Sequence, residues 1–302
     1  MLSPPSFHHL HLHSLDPEAA IGFYTRQFAG TRKGEWEGVP ALFSPNDALI
    51  LFTKTEKPPP LLPQSAIWHF GWHVKDSRAC LETYKSRREV ELLPLYTSEE
   101  GGSVFISSDA WPGAEGRLGR TRREIAEAKA QGIRPAGGPG FAYMKGPDGA
   151  LVEYAGDHPA LRFNHVHFFE EDPGSASDWY RRHLGAEAYG PFAGTVAVKR
   201  ERKAEPSWPA LAQQGMIREP RAGVRFGDVA FLIYPNQGRE PLAASRGQLQ
   251  DHIALAVEDL DAWVVKLKSE GVRFLEEPAS LGRARAAMIA GPSREAIELI
   301  EV

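Results

Sequence analysis

Apolar residues in this chain come in short runs bounded by Gly, Pro, Asn and Asp, the layout of strands and turns, with a few longer stretches of helical periodicity between them. Four of these runs share one plan, an apolar-and-histidine strand followed by an aspartate that opens a helix. They are His9-Leu-His-Leu-His-Ser-Leu-Asp16, His69-Phe-Gly-Trp-His-Val-Lys-Asp76, His165-Val-His-Phe-Phe-Glu-Glu-Asp172 and His252-Ile-Ala-Leu-Ala-Val-Glu-Asp259. In each, a histidine stands seven residues before the aspartate. With the aspartate as helix N-cap, the histidine falls at the same place on every preceding strand, which marks an internal repeat.

Each copy is continued by meander strands, so the pattern predicts an α+β protein of four βαβββ modules. Module one (7–55) has a strand near 7–13, a helix from Asp16 to about Phe28, a strand at Gly38–Phe43 and a last strand at Ala48–Thr53. Lys54 to Ser65, with Pro58, Pro59, Pro60 and Pro63, is a linker that continues neither kind of element. Module two (66–156) has a helix opened by Asp76 and a strand near Val90–Leu95. A long insertion, Gly- and Ser-rich over Ser98–Leu118 and helical over Arg120–Gln131, precedes Gly140–Lys145 and a last strand, Ala150–Ala155. Such an insertion reads equally as a lid or as surface decoration. Module three (163–236) has the helix stretch Trp179-Tyr-Arg-Arg-His-Leu-Gly185, which matches Phe23-Tyr-Thr-Arg-Gln-Phe-Ala29 of module one, and a polar insertion over Lys199–Ala222. Module four (250–302) has a helix from Asp259 to Glu270 closed by Gly271. The natural division is a duplicated pair of modules, 1–158 and 159–302.

Composition narrows the function. The 302 residues are 42% hydrophobic and 25% charged, ordinary for a chain that buries a core, and 35 Lys and Arg against 39 Asp and Glu lack the basic excess that nucleic-acid binding needs. No run of about 18 apolar residues suggests a membrane span, and Met1–Phe7 lacks the blocks of a secretion signal, so a cytoplasmic location is expected. The single cysteine, Cys80, allows no intramolecular disulfide and reads as packing within a helix. Histidine is 11 of 302 residues, so four equivalent histidines by composition alone is a chance on the order of one in a million.

The last strands add carboxylates. Six residues after Pro147 stands Glu153 and six after Pro292 stands Glu298, whereas Leu51 stands six after Pro45 and Ile233 six after Gly227. One glutamate in an apolar strand reads as solvent-facing, and one histidine on a strand as a satisfied core residue. Two histidines and one carboxylate per pair of modules read otherwise. They match a two-His, one-carboxylate facial triad, which leaves the opposite face of an octahedral ion open for substrate and oxygen. Fe(II), Mn(II), Zn(II) or Ni(II) would accept it.

A strand beginning with His, a helix opened by Asp, three further strands and a closing glutamate resemble the vicinal oxygen chelate superfamily of glyoxalase I, bleomycin and fosfomycin resistance proteins and extradiol dioxygenases. The resemblance implies modules paired into two cup-shaped sheets, with metal positions at His9, His69, Glu153, His165, His252 and Glu298. It implies a small-molecule substrate with neighbouring oxygens and a divalent metal, Fe(II) first. Glyoxalase I has a glutamate from each module, and Leu51 and Ile233 stand at two of those places. Extradiol enzymes use three ligands and have a tyrosine ten residues before the glutamate, which Tyr143-Met-Lys-Gly-Pro-Asp-Gly-Ala-Leu-Val-Glu153 resembles. Gly146 and the lack of a histidine in Ile133–Phe141 depart from that signature.

An extradiol-type dioxygenase with Tyr143 as catalytic donor is therefore expected. A glyoxalase-type isomerase or lyase, or a metal-free binding protein, are the rivals. Neighbour pairing would group His9, His69, Glu153 and His165, His252, Glu298; pairing of the first module with the fourth would group His9, His252, Glu298 and His69, His165, Glu153. His8, out of phase with His9, His11 and His13, is expected on the opposite face of its strand. The Glu153 cup is expected to be the catalytic one, because Met288 stands where Tyr143 does in the other.

Overall fold

The computed structural model describes residues 2–98, 102–111, 122–135, 137–190, 221–236 and 240–302. Module one comprises β1 (Ser6–Ser14), α1 (Pro17–Gln27), β2 (Arg32–Trp36), β3 (Val39–Phe43) and β4 (Leu49–Lys54). Module two comprises β5 (Ile67–His73), α2 (Ser77–Lys85), β6 (Glu91–Leu93), a two-stranded insert β7 (Tyr96–Ser98) and β8 (Gly102–Val104), α3 (Arg122–Ala130), β9 (Phe141–Lys145) and β10 (Leu151–Ala155). Module three has β11 (Arg162–Glu170), α4 (Pro173–Leu184), β12 (Glu187–Ala188), β13 (Ala222–Phe226) and β14 (Val229–Pro235). Module four has β15 (Gln250–Val257), α5 (Leu260–Ser269), β16 (Phe274–Leu281), β17 (Ala284–Ala290) and β18 (Ala296–Glu301). The insertion expected over Lys199–Ala222 lies, but for its last two residues, outside the described residues.

The four repeated aspartates do open the helices. Asp16, Asp76, Asp172 and Asp259 accept from the backbone N–H of Ala19, Ala79, Ser175 and Ala262 at 3.0, 2.9, 3.1 and 2.8 Å. Each satisfies a donor that the first helical turn leaves without a partner.

Two eight-stranded sheets form, in the orders β16-β17-β18-β15-β1-β4-β3-β2 and β12-β13-β14-β11-β5-β10-β9-β6. Within every module the first strand is parallel to the last, and the sheets close through the antiparallel pairs β1–β15 and β5–β11. The first module thus shares a sheet with the fourth and the second with the third. Of the two pairings left open by the sequence, the one that joins the first module to the fourth is found, so residues 1–158 and 159–302 are not the two cups. The connections explain why. Only residues 156–161 join β10 to β11, a length that keeps successive modules in one sheet, whereas the proline-rich linker carries the chain across to the other. The return linker runs beside it, through hydrogen bonds from Ala243 N to Gln64 O (2.8 Å) and Leu249 N to Pro60 O (3.0 Å).

One apolar core serves both sheets. The ring of Tyr24 on α1 lies 6.2 Å from Phe52 in its own sheet and 6.0 and 5.8 Å from Phe70 and Trp72 in the other; Phe28 stacks on Trp72 at 4.1 Å. A buried aromatic side chain removes 150–250 Å² from water, about 4–6 kcal/mol before entropy, so these rings fix the sheets to one another. The insertion is pinned to α2 by Arg78, which donates to Ser108 Oγ (2.8 Å) and Asp109 Oδ1 (2.6 Å), and it bridges β9 at Ala142, next to Tyr143. Among the described residues no helix is long and apolar enough to cross a membrane.

Candidate metal centres

The four repeated histidines stand at four equivalent irregularities. Across β1–β15 the register steps from Phe7↔Leu255 to His9↔Ala254 and from His11↔His252 to Leu12↔Gln250, leaving His8 and Asp251 as extra residues. Across β5–β11 the same steps leave Asn164 and Trp68. Each repeated histidine is therefore preceded by a β-bulge, which turns two successive side chains toward one side of the strand. His8 does not face away from His9, as alternation predicted; its Nδ1 lies 2.8 Å from His9 Nδ1. Asn164 lies 3.0 Å from Nδ1 of His165 and Asp251 Oδ1 2.6 Å from Nδ1 of His252. At His69 the bulge residue is Trp68, with ring centroids 4.3 Å apart, and Nδ1 has no hydrogen-bond partner. In three of the four cases the bulge occupies Nδ1 and leaves Nε2 to the cup.

In the sheet of modules two and three, His69 Nε2 lies 3.0 Å from Glu153 Oε2 and His165 Nε2 3.7 Å from Glu153 Oε1. Glu153 sits opposite Gly71, where a Cβ would meet Glu153 O at 2.4 Å and His165 Nε2 at 2.8 Å, so only glycine leaves room for the pair. Tyr143 is the cross-strand neighbour of Glu153 and donates its hydroxyl to Oε2 at 2.6 Å. A further histidine joins them: Nδ1 of His167 is 4.0 Å from Glu153 Oε2, and one donor atom from each of His69, Glu153, His165 and His167 lies within 4.8 Å of the others.

In the other sheet His9 Nε2 and His252 Nε2 lie 3.5 and 3.8 Å from Glu298 Oε2. Met288 stands opposite Glu298. His9, His11 and His252 bring three nitrogens within 4.8 Å, but His11 Nε2 is 2.8 Å from Thr53 Oγ1 and its ring is part-exposed. The hydrogen bond with His252, then that from Gly247 N and the Arg246 guanidinium, keep the Asp251 carboxyl well below the usual range despite burial.

The strand register also relocates one of the two aliphatic positions. Glu153 and Glu298 pair with the residue two beyond the repeated histidine, and the same place in modules one and three is held by Leu51 and Leu232, not Ile233. Leu232 faces the cup while Ile233 is buried in the core. Each cup therefore has one glutamate at this place.

Burial lowers the pKa of His9, His69, His165 and His167 well below the usual imidazole value, with neighbouring imidazoles adding to it at His9, His165 and His167. Neutral rings have a lone pair to give. Burial raises Glu153 and Glu298, against His165 and Tyr143 at the first and His252 at the second. Nε2 of His9, His165 and His252, both nitrogens of His167 and Oε2 of Glu298 are buried with no hydrogen-bond partner. Each such group costs about 1–3 kcal/mol, and the clustering of several such nitrogens around one carboxylate in each cup fits a cation. Ligand atoms about 2.1 Å from an ion and at right angles are about 3.0 Å apart, comparable with the 3.0–3.8 Å separations here. Imidazole with carboxylate suits Fe, Mn, Zn or Ni.

The sequence reading missed His167, although its position two residues beyond His165 put it on the same strand face. The bulges carried no signal that alternation alone could reveal.

Residues 162–299 match the sequence profile of the Glyoxalase/Bleomycin resistance protein/Dioxygenase superfamily. No curated protein matches the sequence. Among solved structures, a point variant of glyoxalase I from Zea mays superposes with a TM-score of 0.60 at 16% identity, covering 98% of this chain and 92% of its own. A putative dioxygenase from Bacillus subtilis gives 0.57 at 14% identity, covering 100% and 86%. At these identities the likeness is one of fold. Residues 162–299, modules three and four, thus carry the sequence pattern of the Glyoxalase/Bleomycin resistance protein/Dioxygenase superfamily, and the whole chain shares the fold of these solved structures.

Proposed function

We propose that the protein is a divalent-metal-dependent enzyme acting on a small substrate with neighbouring oxygens, and that its reaction is extradiol-type oxygenation of a catechol-like compound. The convergence of two buried imidazole Nε2 atoms on one carboxylate in each cup, at 3.0–3.8 Å, carries this reading. His9, His252 and Glu298 would hold one ion and His69, His165 and Glu153 the other, Fe(II) first and Mn, Zn or Ni as alternatives. A bound ion supplies Lewis acidity that lowers the pKa of both substrate oxygens. Leu51 and Leu232 favour a centre with one glutamate in each cup over a centre with two.

The chain supplies the rest. Bulge residues orient the rings, and the buried sheet face excludes water. Tyr143 donates its hydroxyl to Glu153; with that carboxylate engaged by a cation, the hydroxyl becomes a donor for a substrate oxyanion. The second reading, a glyoxalase-type isomerase or lyase, draws support from His167, which offers the Glu153 cup a fourth nitrogen.

Anaerobic reconstitution with Fe(II), then oxygen uptake over a panel of catechols, tests the proposal. Metal-dependent uptake with ring cleavage supports it. Metal-dependent proton exchange without uptake would establish the isomerase reading, and tight catechol binding by metal-free protein a sequestering one; either overturns the oxygenase.

A further inference from the structure

The geometry points to His167 as a fourth protein ligand, making the Glu153 cup a three-His, one-Glu centre unlike the three-ligand set around Glu298. The inference rests on the metal reading above and refines it. Both ring nitrogens of His167 are buried without a hydrogen-bond partner, and the side chain is 4% exposed. A histidine kept in the core for packing normally gives at least one nitrogen to a backbone or side-chain partner. Here the ring stacks on His165 at 4.2 Å and 25°, meets His69 at 4.3 Å, and turns Nδ1 toward Glu153.

Position in the sheet gives the reason. His167 pairs directly with Leu232, the aliphatic that stands where modules two and four have a glutamate. A donor missing from the last strand of module three is thus replaced by one from the adjacent first strand. Among the described residues the other cup has no such replacement: His11, the equivalent of His167, pairs with Leu51 but shares its Nε2 with Thr53, and Glu298 lies outside the group of nitrogens it joins. Four protein ligands leave two positions of an octahedral ion, enough for a substrate held through both its oxygens. Three ligands leave three. The cups therefore differ in chemistry: the Glu153 cup is a Lewis-acid centre with Tyr143 beside it, and the Glu298 cup has the more open face.

Counting imidazoles on bound Cu(II) by pulsed EPR tests this, on full-length protein with His252→Ala and Glu298→Ala so that only the Glu153 cup remains. Three imidazoles are expected, falling to two in His167→Phe, which keeps the stacked ring, and Co(II) affinity should fall at least about tenfold. His167→Gln is the second variant, and the count on the unsubstituted cup requires no substitution at 167. Two imidazoles in the unsubstituted cup, or equal counts and affinities in all three proteins, overturns the inference while leaving the metal reading intact. Failure of the wild-type chain to bind either ion would overturn the metal reading itself.

Discussion

At the scale of single residues, the side chains that touch no substrate separate the two cups most clearly. Asp251 places a carboxylate on Nδ1 of His252, where Asn164 places an amide on His165 and Trp68 offers His69 no hydrogen bond at Nδ1. A carboxylate partner raises the basicity of an imidazole and fixes its tautomer. Asp251→Asn should therefore weaken metal binding in the Glu298 cup by roughly 10–100-fold with the fold retained, as read by Co(II) titration. An affinity within twofold of wild type would show that the hydrogen bond does not tune the site. Tyr143→Phe isolates a different contribution. Metal content should be unchanged while turnover falls roughly tenfold to a thousandfold, the scale for one lost donor to a developing oxyanion. A loss of metal instead would mean that the hydroxyl serves Glu153 alone. Most of these ligand candidates were legible because histidine and glutamate recurred at fixed distances from an N-cap and a turn. Leu232 was misassigned to Ile233 because counting from a turn carries an error of one residue when hairpins differ in length, and one residue reverses the face.

At the scale of elements, the repeated unit is a strand whose bulge aims one histidine, followed by a helix that an aspartate starts. The helix starts were readable because Asp followed by Pro or Ser has a local cause. The bulges were not, since they arise from pairing with a partner strand more than 80 residues away in sequence. His8 shows the consequence, lying beside His9 where strict alternation separates them. Gly71 is the element-level constraint on the site. Its added Cβ would fall 2.8 Å from both Glu153 Cβ and His165 Nε2, distances that real Cβ atoms do not show. Gly71→Ala should cost about 1–3 kcal/mol of stability, the range for overpacking, and disturb metal binding in the Glu153 cup only. Thermal unfolding with metal titration of each cup checks this; an unchanged Glu153 cup would show that β5 and β10 can separate to admit a methyl group.

At the scale of the whole molecule, the pairing of distant modules puts strong demands on what lies between the sheets. The sequence left both pairings open, because nothing in a module says which edge of its first strand finds a partner. The linker lengths held the clue, six residues between modules two and three against the long proline-rich crossing between one and two. Between the sheets lies a buried acidic pair, Glu170 at the end of β11 in one sheet and Glu295 just before β18 in the other. Glu295 accepts from Tyr180 on α4 and from Ser293 N at 2.9 Å, which favours its ionised form, so the shared proton belongs on Glu170. Burial first, then repulsion from Glu295, raises Glu170 well above the ordinary value of 4.5, and burial raises Glu295 too. A carboxyl whose folded pKa lies above its unfolded one stabilises the fold fully below the unfolded value, and the contribution is lost as pH rises through the folded value. The window therefore opens near pH 4.5 and extends upward to the raised pKa of Glu170. Glu170→Gln keeps the shape and removes the proton, so its melting temperature should gain on wild type as pH rises. We expect the difference to grow by at least about 2 °C between pH 5 and pH 8, the shift that roughly 1 kcal/mol produces in a chain of this size. Measuring both proteins with excess chelator keeps the metal centres out of the comparison. A difference constant with pH would show that the pair does not change its protonation on folding, and that the two sheets are held by the aromatic core alone.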